Sequence, residues 1–121
     1  MVSPTTGSVV LVTFPFSDLS NSKLRPAIVL ASVERDDWIL CQVTSNPYAD
    51  PNAIQLTDAD FASGSLQRTS FARPGRLFTA NTSLMKTDVG RLKPTVFTNV
   101  LDGVVALLKG MKRDYPTKPS T

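Results

Sequence analysis

Only one stretch of this chain carries a helical period. Phe97, Val100, Leu101, Val104, Leu108 and Met111 recur at spacings of three and four, which places them on a single stripe of a helix. Almost everything before it consists of β-branched, apolar runs of strand length, divided by Gly, Pro, Asn, Asp and Ser. A chain built this way has one late helix to lay across many short strands. The pattern predicts a mainly β fold, a small barrel capped by a C-terminal helix. With 121 residues and 41% hydrophobic content, there is enough apolar surface for one core, so a single domain is expected. Its barrel should span about 7–92 and its helix about 94–109, with a disordered tail at about 114–121.

The elements follow from local chemistry. Residues 8–14 form a β-branched run that must be covered on both faces for most of its length, giving a first strand. A polar stretch through residue 23, rich in turn formers, makes a surface loop. Pro26 pushes Arg25 out of the α region and supplies no N–H, so the pair reads as the entry to a second strand, about 26–33. Residues 34–37 make a polar hairpin connection and 38–44 the third strand. A short strand at 53–56 and a capped helical turn at 57–61 come next. Two extended pieces, 68–73 and 76–80, are broken by Pro74–Gly75, a turn or bulge signal. Residues 83–89 add a short edge strand. Pro94 suits the first helical position and Gly110 a C-terminal stop, with Lys109 placed against the helix dipole.

Composition removes several chemistries. There is no histidine and only one cysteine, Cys41, so an internal disulfide and the commonest general base are excluded and a dedicated zinc site is disfavoured. Cys41 lies in an apolar run and reads as a buried small hydrophobe. No segment approaches the ~20 apolar residues of a membrane span, and the first residues lack the pattern of a signal peptide, so a soluble, cytoplasmic protein is expected. The net charge of +3 is unevenly spread. Residues 34–60 hold six acids against Arg35, whereas 68–93 hold six bases against Asp88, a basic face that could attract nucleic acid or an acidic protein segment.

Counting outward from the 34–37 turn pairs Val33 with Trp38 and Pro26 with Val43 or Thr44. Arg25 and Thr44 then become near cross-strand partners at one end of the sheet. A planar guanidinium that stays charged, beside a hydroxyl, suits a phosphodiester, whose developing charge is stabilised by donors aimed at it. In RNA the 2′-hydroxyl supplies the nucleophile, so neither a metal nor a protein nucleophile is required. The general base would have to be Asp18, Glu34 or the substrate itself. The competing reading of Thr44 is a strand-end turn residue, and that of Arg25 a solvated rim charge. Asp58 and Asp60 read as helix-start charges, and Phe14, Phe16, Tyr48 and Phe78 as packing residues rather than base-stacking ones.

Several ordered motifs also resemble the MazF/PemK family of toxin–antitoxin ribonucleases. They are Gly7-Ser8-Val9-Val10-Leu11-Val12-Thr13-Phe14-Pro15-Phe16, Leu24-Arg25-Pro26-Ala27-Ile28-Val29-Leu30, Val43-Thr44-Ser45-Asn46, Ser70-Phe71-Ala72-Arg73-Pro74 and Gly90-Arg91-Leu92. The resemblance runs from about 7 to 109. It implies an SH3-like barrel of the MazF/CcdB type, usually a homodimer, that cleaves single-stranded RNA at short sequences without metal or cofactor. It also implies a cognate antitoxin, with DNA bound through the toxin–antitoxin complex. Carried over by position, Arg25 and Thr44 become the catalytic pair, and Lys23 and Arg73 line the RNA groove, with Ser45, Asn46 and Arg76 beside them. The chain departs from the family's pattern at Ser8, where Asp is usual, and at Gly75, where some members are acidic. The alternative is a non-catalytic interaction module or a CcdB-like topoisomerase poison.

Overall fold

A computed structural model describes residues 2–13 and 23–110. Phe14, Phe16, Asp18, Met111 and the proposed tail lie outside the described residues. Seven strands, β1 (Ser8–Thr13), β2 (Leu24–Glu34), β3 (Asp37–Thr44), β4 (Ile54–Leu56), β5 (Phe61–Gly64), β6 (Ser70–Asn81) and β7 (Met85–Leu92), form one antiparallel sheet in the order β4-β6-β3-β2-β1-β7-β5. It is curled, and the helix α1 (Pro94–Leu108) closes over it. This is the mainly β, SH3-like barrel with a C-terminal helix that the sequence predicts.

The β2–β3 hairpin turns on Arg35 and Asp36, both left-handed at φ 51° and 70°, the twist a tight hairpin needs. Bulges between Val29 and Ala31 and between Ser32 and Glu34 slip the register, so Trp38 faces Ser32 rather than the predicted Val33. Further along, Ala27 pairs with Gln42. Continued two residues, that register sets Pro26 against Val43 and Arg25 against Thr44.

The sheet buries side chains on both faces where β1 and the middle of β2 and β3 are apolar at successive positions. On the inner face Val9, Ile28, Cys41 and Val43 pack with Leu92, Val100 and Val104 beneath the helix. On the other face Val10, Val12, Ala27, Val29 and Leu40 pack with Ala80 and Met85. Pro94 opens the helix as predicted, and the N–H of Lys93 donates to Asp60 O at 3.0 Å. Gly110, at φ +74°, donates to Leu107 O at 3.0 Å and ends it. Leu108, expected on the buried stripe, is 73% exposed; in the last turn it is the preceding Leu107 whose side chain lies against the sheet, beside Gly75.

Three further expectations change. The pieces 68–73 and 76–80 are one strand, β6, with Cys41 opposite Leu77 and Val43 opposite Ala72. Four β6 residues around Pro74–Gly75 therefore bulge against one on β3. The strand expected at the sheet edge is β7, and it lies inside, between β1 and β5. Its outer partner β5 has no sequence signal of its own, because only Phe61 in it is buried. The crossing of β5 and β7 is tight. A Cβ on Gly64 would stand 2.2 Å from Val89 O, and one on Gly90 2.7 Å from Ser63 O, so two glycines are what let these strands meet.

Candidate active site

Where the inner face runs out from under the core, β1, β2, β3 and the connector before β6 enclose a cavity of about 260 Å³. Val43 belongs to both, packing in the core and lining the cavity. Its floor is apolar, from Leu11, Pro26, Val43 and Leu66, and its polar groups are Arg25, Arg68, Thr44, Ser45 and Ser70. Among the described residues no carboxylate lines it.

Arg25 sits within β2 opposite Val12, so its position is fixed by pairing with β1 rather than by a loop. Its guanidinium has no hydrogen-bond or ion-pair partner among the described residues. The same is true of Arg68. Two permanently charged forks converging on a cavity whose described lining holds no carboxylate attract an anion, and their planar donor geometry suits phosphate oxygens.

Thr44 is 8% exposed. Its Oγ1 donates to Asn46 O at 3.1 Å and accepts the N–H of Asn46 at 3.1 Å. It therefore acts as the strand-end turn residue that competed with the catalytic reading, while also lining the cavity. Turning the O–H about the Cβ–Oγ1 bond would redirect its proton, leaving the bond from the Asn46 N–H in place. Asn46 continues the turn, its Oδ1 accepting the Tyr48 N–H at 2.9 Å, and does not line the cavity. Ser45 does. Lys23 is exposed just ahead of β2.

Arg73, expected along the RNA groove, is held by a partner of its own. Its Nε donates to Asp50 Oδ2 at 3.0 Å, the two side chains being 13% and 12% exposed, and its guanidinium stacks over Tyr48 at 5.5 Å. Burial pushes the Asp50 carboxyl up. The Asn52 N–H, the Arg73 hydrogen bond and the charges of Arg73 and Arg76 outweigh it and hold the group below the ordinary carboxylate value. Arg76 is exposed on the bulge. Neither Arg73 nor Arg76 lines the cavity.

Glu34 cannot serve as the base for Arg25. It lies at the hairpin end of β2 against Asp37, nine residues along the strand and hence roughly 30 Å away. Cys41 is fully buried, and burial pushes its thiol up to about 12, an inert group as expected. Asp60 accepts the Thr57 N–H at 2.7 Å, the capping role predicted for it. Tyr48 is 63% exposed and meets Arg73 instead of packing into the barrel. Phe78 packs against the second core cluster. Among the described residues no three Cys, Asp or Glu side chains converge as metal ligands. Sequence reasoning missed Arg68, Leu66 and Ser70. The only signal was that Arg68 opens the basic segment just after the Gly64–Ser65 break.

A family model described as PemK-like, MazF-like toxin of type II toxin–antitoxin systems matches residues 5–108. Among solved structures, MazF from Deinococcus radiodurans is similar at a TM-score of 0.69 and 20% identity, over 92% of this chain and 100% of that one. A mycobacterial endoribonuclease in complex with its cognate antitoxin is similar at 0.63 and 14% identity, over 96% and 100%. The Deinococcus radiodurans MazE–MazF complex is similar at 0.65 and 18% identity, over 90% and 98%. No curated protein sequence matches the chain.

Proposed function

The chain belongs to the PemK-like, MazF-like toxins of type II toxin–antitoxin systems, and from that membership we propose that it is a cytoplasmic, metal-independent endoribonuclease that cuts single-stranded RNA at a short sequence. The observation that carries this reading is that Arg25 and Arg68, whose guanidiniums have no partner among the described residues, face one cavity whose described lining holds Thr44 and no carboxylate. Structures with the same fold include a protein named as an endoribonuclease and MazE–MazF complexes, which supports both the activity and an antitoxin partner.

In the proposed reaction the 2′-oxygen attacks the adjacent phosphorus and the bond to the 5′-oxygen breaks. The products are a 2′,3′-cyclic phosphate and a 5′-hydroxyl. The proton lost by the 2′-hydroxyl balances the one gained by the departing 5′-oxygen. Arg25 neutralises the charge growing on the non-bridging oxygens, where a preorganised donor in a partly dry site has most effect. Arg68 grips the same phosphate from the opposite wall. The Thr44 hydroxyl, turned from Asn46 O, donates to a phosphate oxygen and fixes its orientation. Lys23, Ser45 and Asn46 flank the cavity mouth, and Arg76 tracks the backbone beyond it. Arg73 contributes mainly by holding the loop that follows Thr44, since Asp50 occupies it. The protein acts as a homodimer, and a disordered, acidic, amphipathic antitoxin segment covers the cationic cavity.

The test is to incubate purified protein with mixed-sequence RNA in EDTA and map the fragment ends. Cyclic phosphates, 5′-hydroxyls and a recurring sequence at the cut are expected, all lost in Arg25→Ala. Intact RNA, or equal cutting by Arg25→Ala, overturns the proposal. Inhibition of supercoiling without RNA cleavage would favour a topoisomerase poison.

A further inference from the structure

A second cavity, of about 340 Å³, opens beside the first and is lined by Thr57, Asp58, Ala59, Gln67, Arg68 and Thr69. Arg68 lines both. The two cavities are therefore adjoining compartments with a shared cationic partition. One wall of the second is the helical turn Asp58–Asp60; the other is the connector carrying Gln67 and Arg68.

The walls are tied together by one hydroxyl. Ser65 Oγ donates to Asp58 Oδ1 and accepts the Gln67 N–H at 2.7 Å. Gln67 itself is held in the left-handed region at φ 64°, a conformation that a long side chain adopts only when its surroundings impose it. The turn is pinned from behind by the Thr57 N–H on Asp60 Oδ2. Such a cavity exists before any ligand arrives, which lowers the ordering cost of binding.

Its chemistry differs from that of its neighbour. Asp58 brings a carboxylate, which disfavours a second phosphate. Asp58 Oδ2 accepts no hydrogen bond among the described residues, and the amide of Gln67 and the hydroxyls of Thr57 and Thr69 offer both donors and acceptors. A flat group with donors and acceptors along one edge matches this mixture, and an unpaired nucleobase is such a group. We propose that the second cavity holds the nucleobase next to the phosphate gripped by Arg25 and Arg68, and that Asp58 selects a base with an exocyclic amino group over uracil. Carboxylates accept from the cytosine amino group. The uracil keto oxygen at the same place would face the carboxylate with no proton between them.

This inference rests on the ribonuclease reading for its ligand, but binding can test it separately. The probes are hexamers of 2′-deoxycytidine and 2′-deoxyuridine, which lack the attacking hydroxyl and differ in the amino or keto group at C4 and in N3, an acceptor in cytosine and an N–H in uracil. Anisotropy titration of wild-type protein should favour the cytidine hexamer by about tenfold. Asp58→Asn keeps an acceptor for Ser65 and replaces the free oxygen with a donor, so the preference should reverse. Asp58→Ala should flatten it. Equal affinity of wild type for both hexamers, or a preference unchanged in both variants with intact thermal melts, overturns the inference. Asp58-dependent preference in a protein that leaves RNA uncut would uphold the cavity and refute the ribonuclease. RNA cleavage without that preference would do the reverse.

Discussion

Replacing Asp50 with alanine should destabilise the protein by about 2 kcal/mol at neutral pH. Asp50 accepts two hydrogen bonds, from Arg73 Nε at 3.0 Å and from the Asn52 N–H at 2.9 Å. Exposed ion pairs contribute only about 0.2–1 kcal/mol, whereas breaking a fully buried one costs about 3–5 kcal/mol. With side chains 13% and 12% exposed, this pair falls between those limits, and hydrogen bonds to charged groups of about 1.5–3 kcal/mol bring the value to about 2. For a chain of this length that lowers Tm by roughly 8 °C. The pH dependence follows from the sign of the shift. The folded carboxyl is held below its ordinary value, so its contribution is complete above the unfolded pKa of about 3.9 and disappears as pH falls through the folded pKa. Urea denaturation of wild type and Asp50→Ala at pH 7, 5, 4 and 3 should show a gap that is constant at the two higher values and narrows at the lower ones. Asp50→Asn retains one acceptor and should lie between the two at neutral pH. A gap that does not change with pH, or no loss in Asp50→Ala, would refute the assignment of this pair as the anchor of the loop after β3.

Arg25→Lys keeps a charge but loses the fork, and should lower kcat in the fragment assay by about 10²-fold, with Arg25→Ala lower still. The salt dependence of single-stranded RNA binding should separate the arginines: Arg68→Ala reduces the slope of log K against log salt by about 0.7, while Arg73→Ala, its charge already balanced by Asp50, changes it far less. An equal change for both would contradict the pairing. Gly64→Ala should cost about 3 kcal/mol in equilibrium unfolding, because the new methyl meets a backbone oxygen and φ stays at +70°; a neutral result would mean β5 can leave β7 freely.

The first three strands are legible because their side chains announce burial on both faces, and the Arg25–Thr44 pairing because a hairpin's register can be counted from its turn. Even two bulges leave those residues opposite each other when the register is continued. The helix is legible from its stripe and from Pro94. Arg68 and Arg73 could not be ranked by sequence. Which of them is free depends on Asp50, brought to Arg73 by a loop in which Tyr48 and Ala49 are both left-handed, at φ 54° and 59°. Neither residue type signals that conformation. The same holds for β5, mostly exposed and recognisable only by what it pairs with.

The close approach at Gly64 and Gly90 has an evolutionary consequence. Two positions 26 apart in the chain share one constraint, so they should drift as a couplet across a lineage. If either gains a side chain, β5 must lift away from β7, and the connector carrying Gln67 and Arg68 would shift with it. A change at two small residues would thus move Arg68, which lines both cavities.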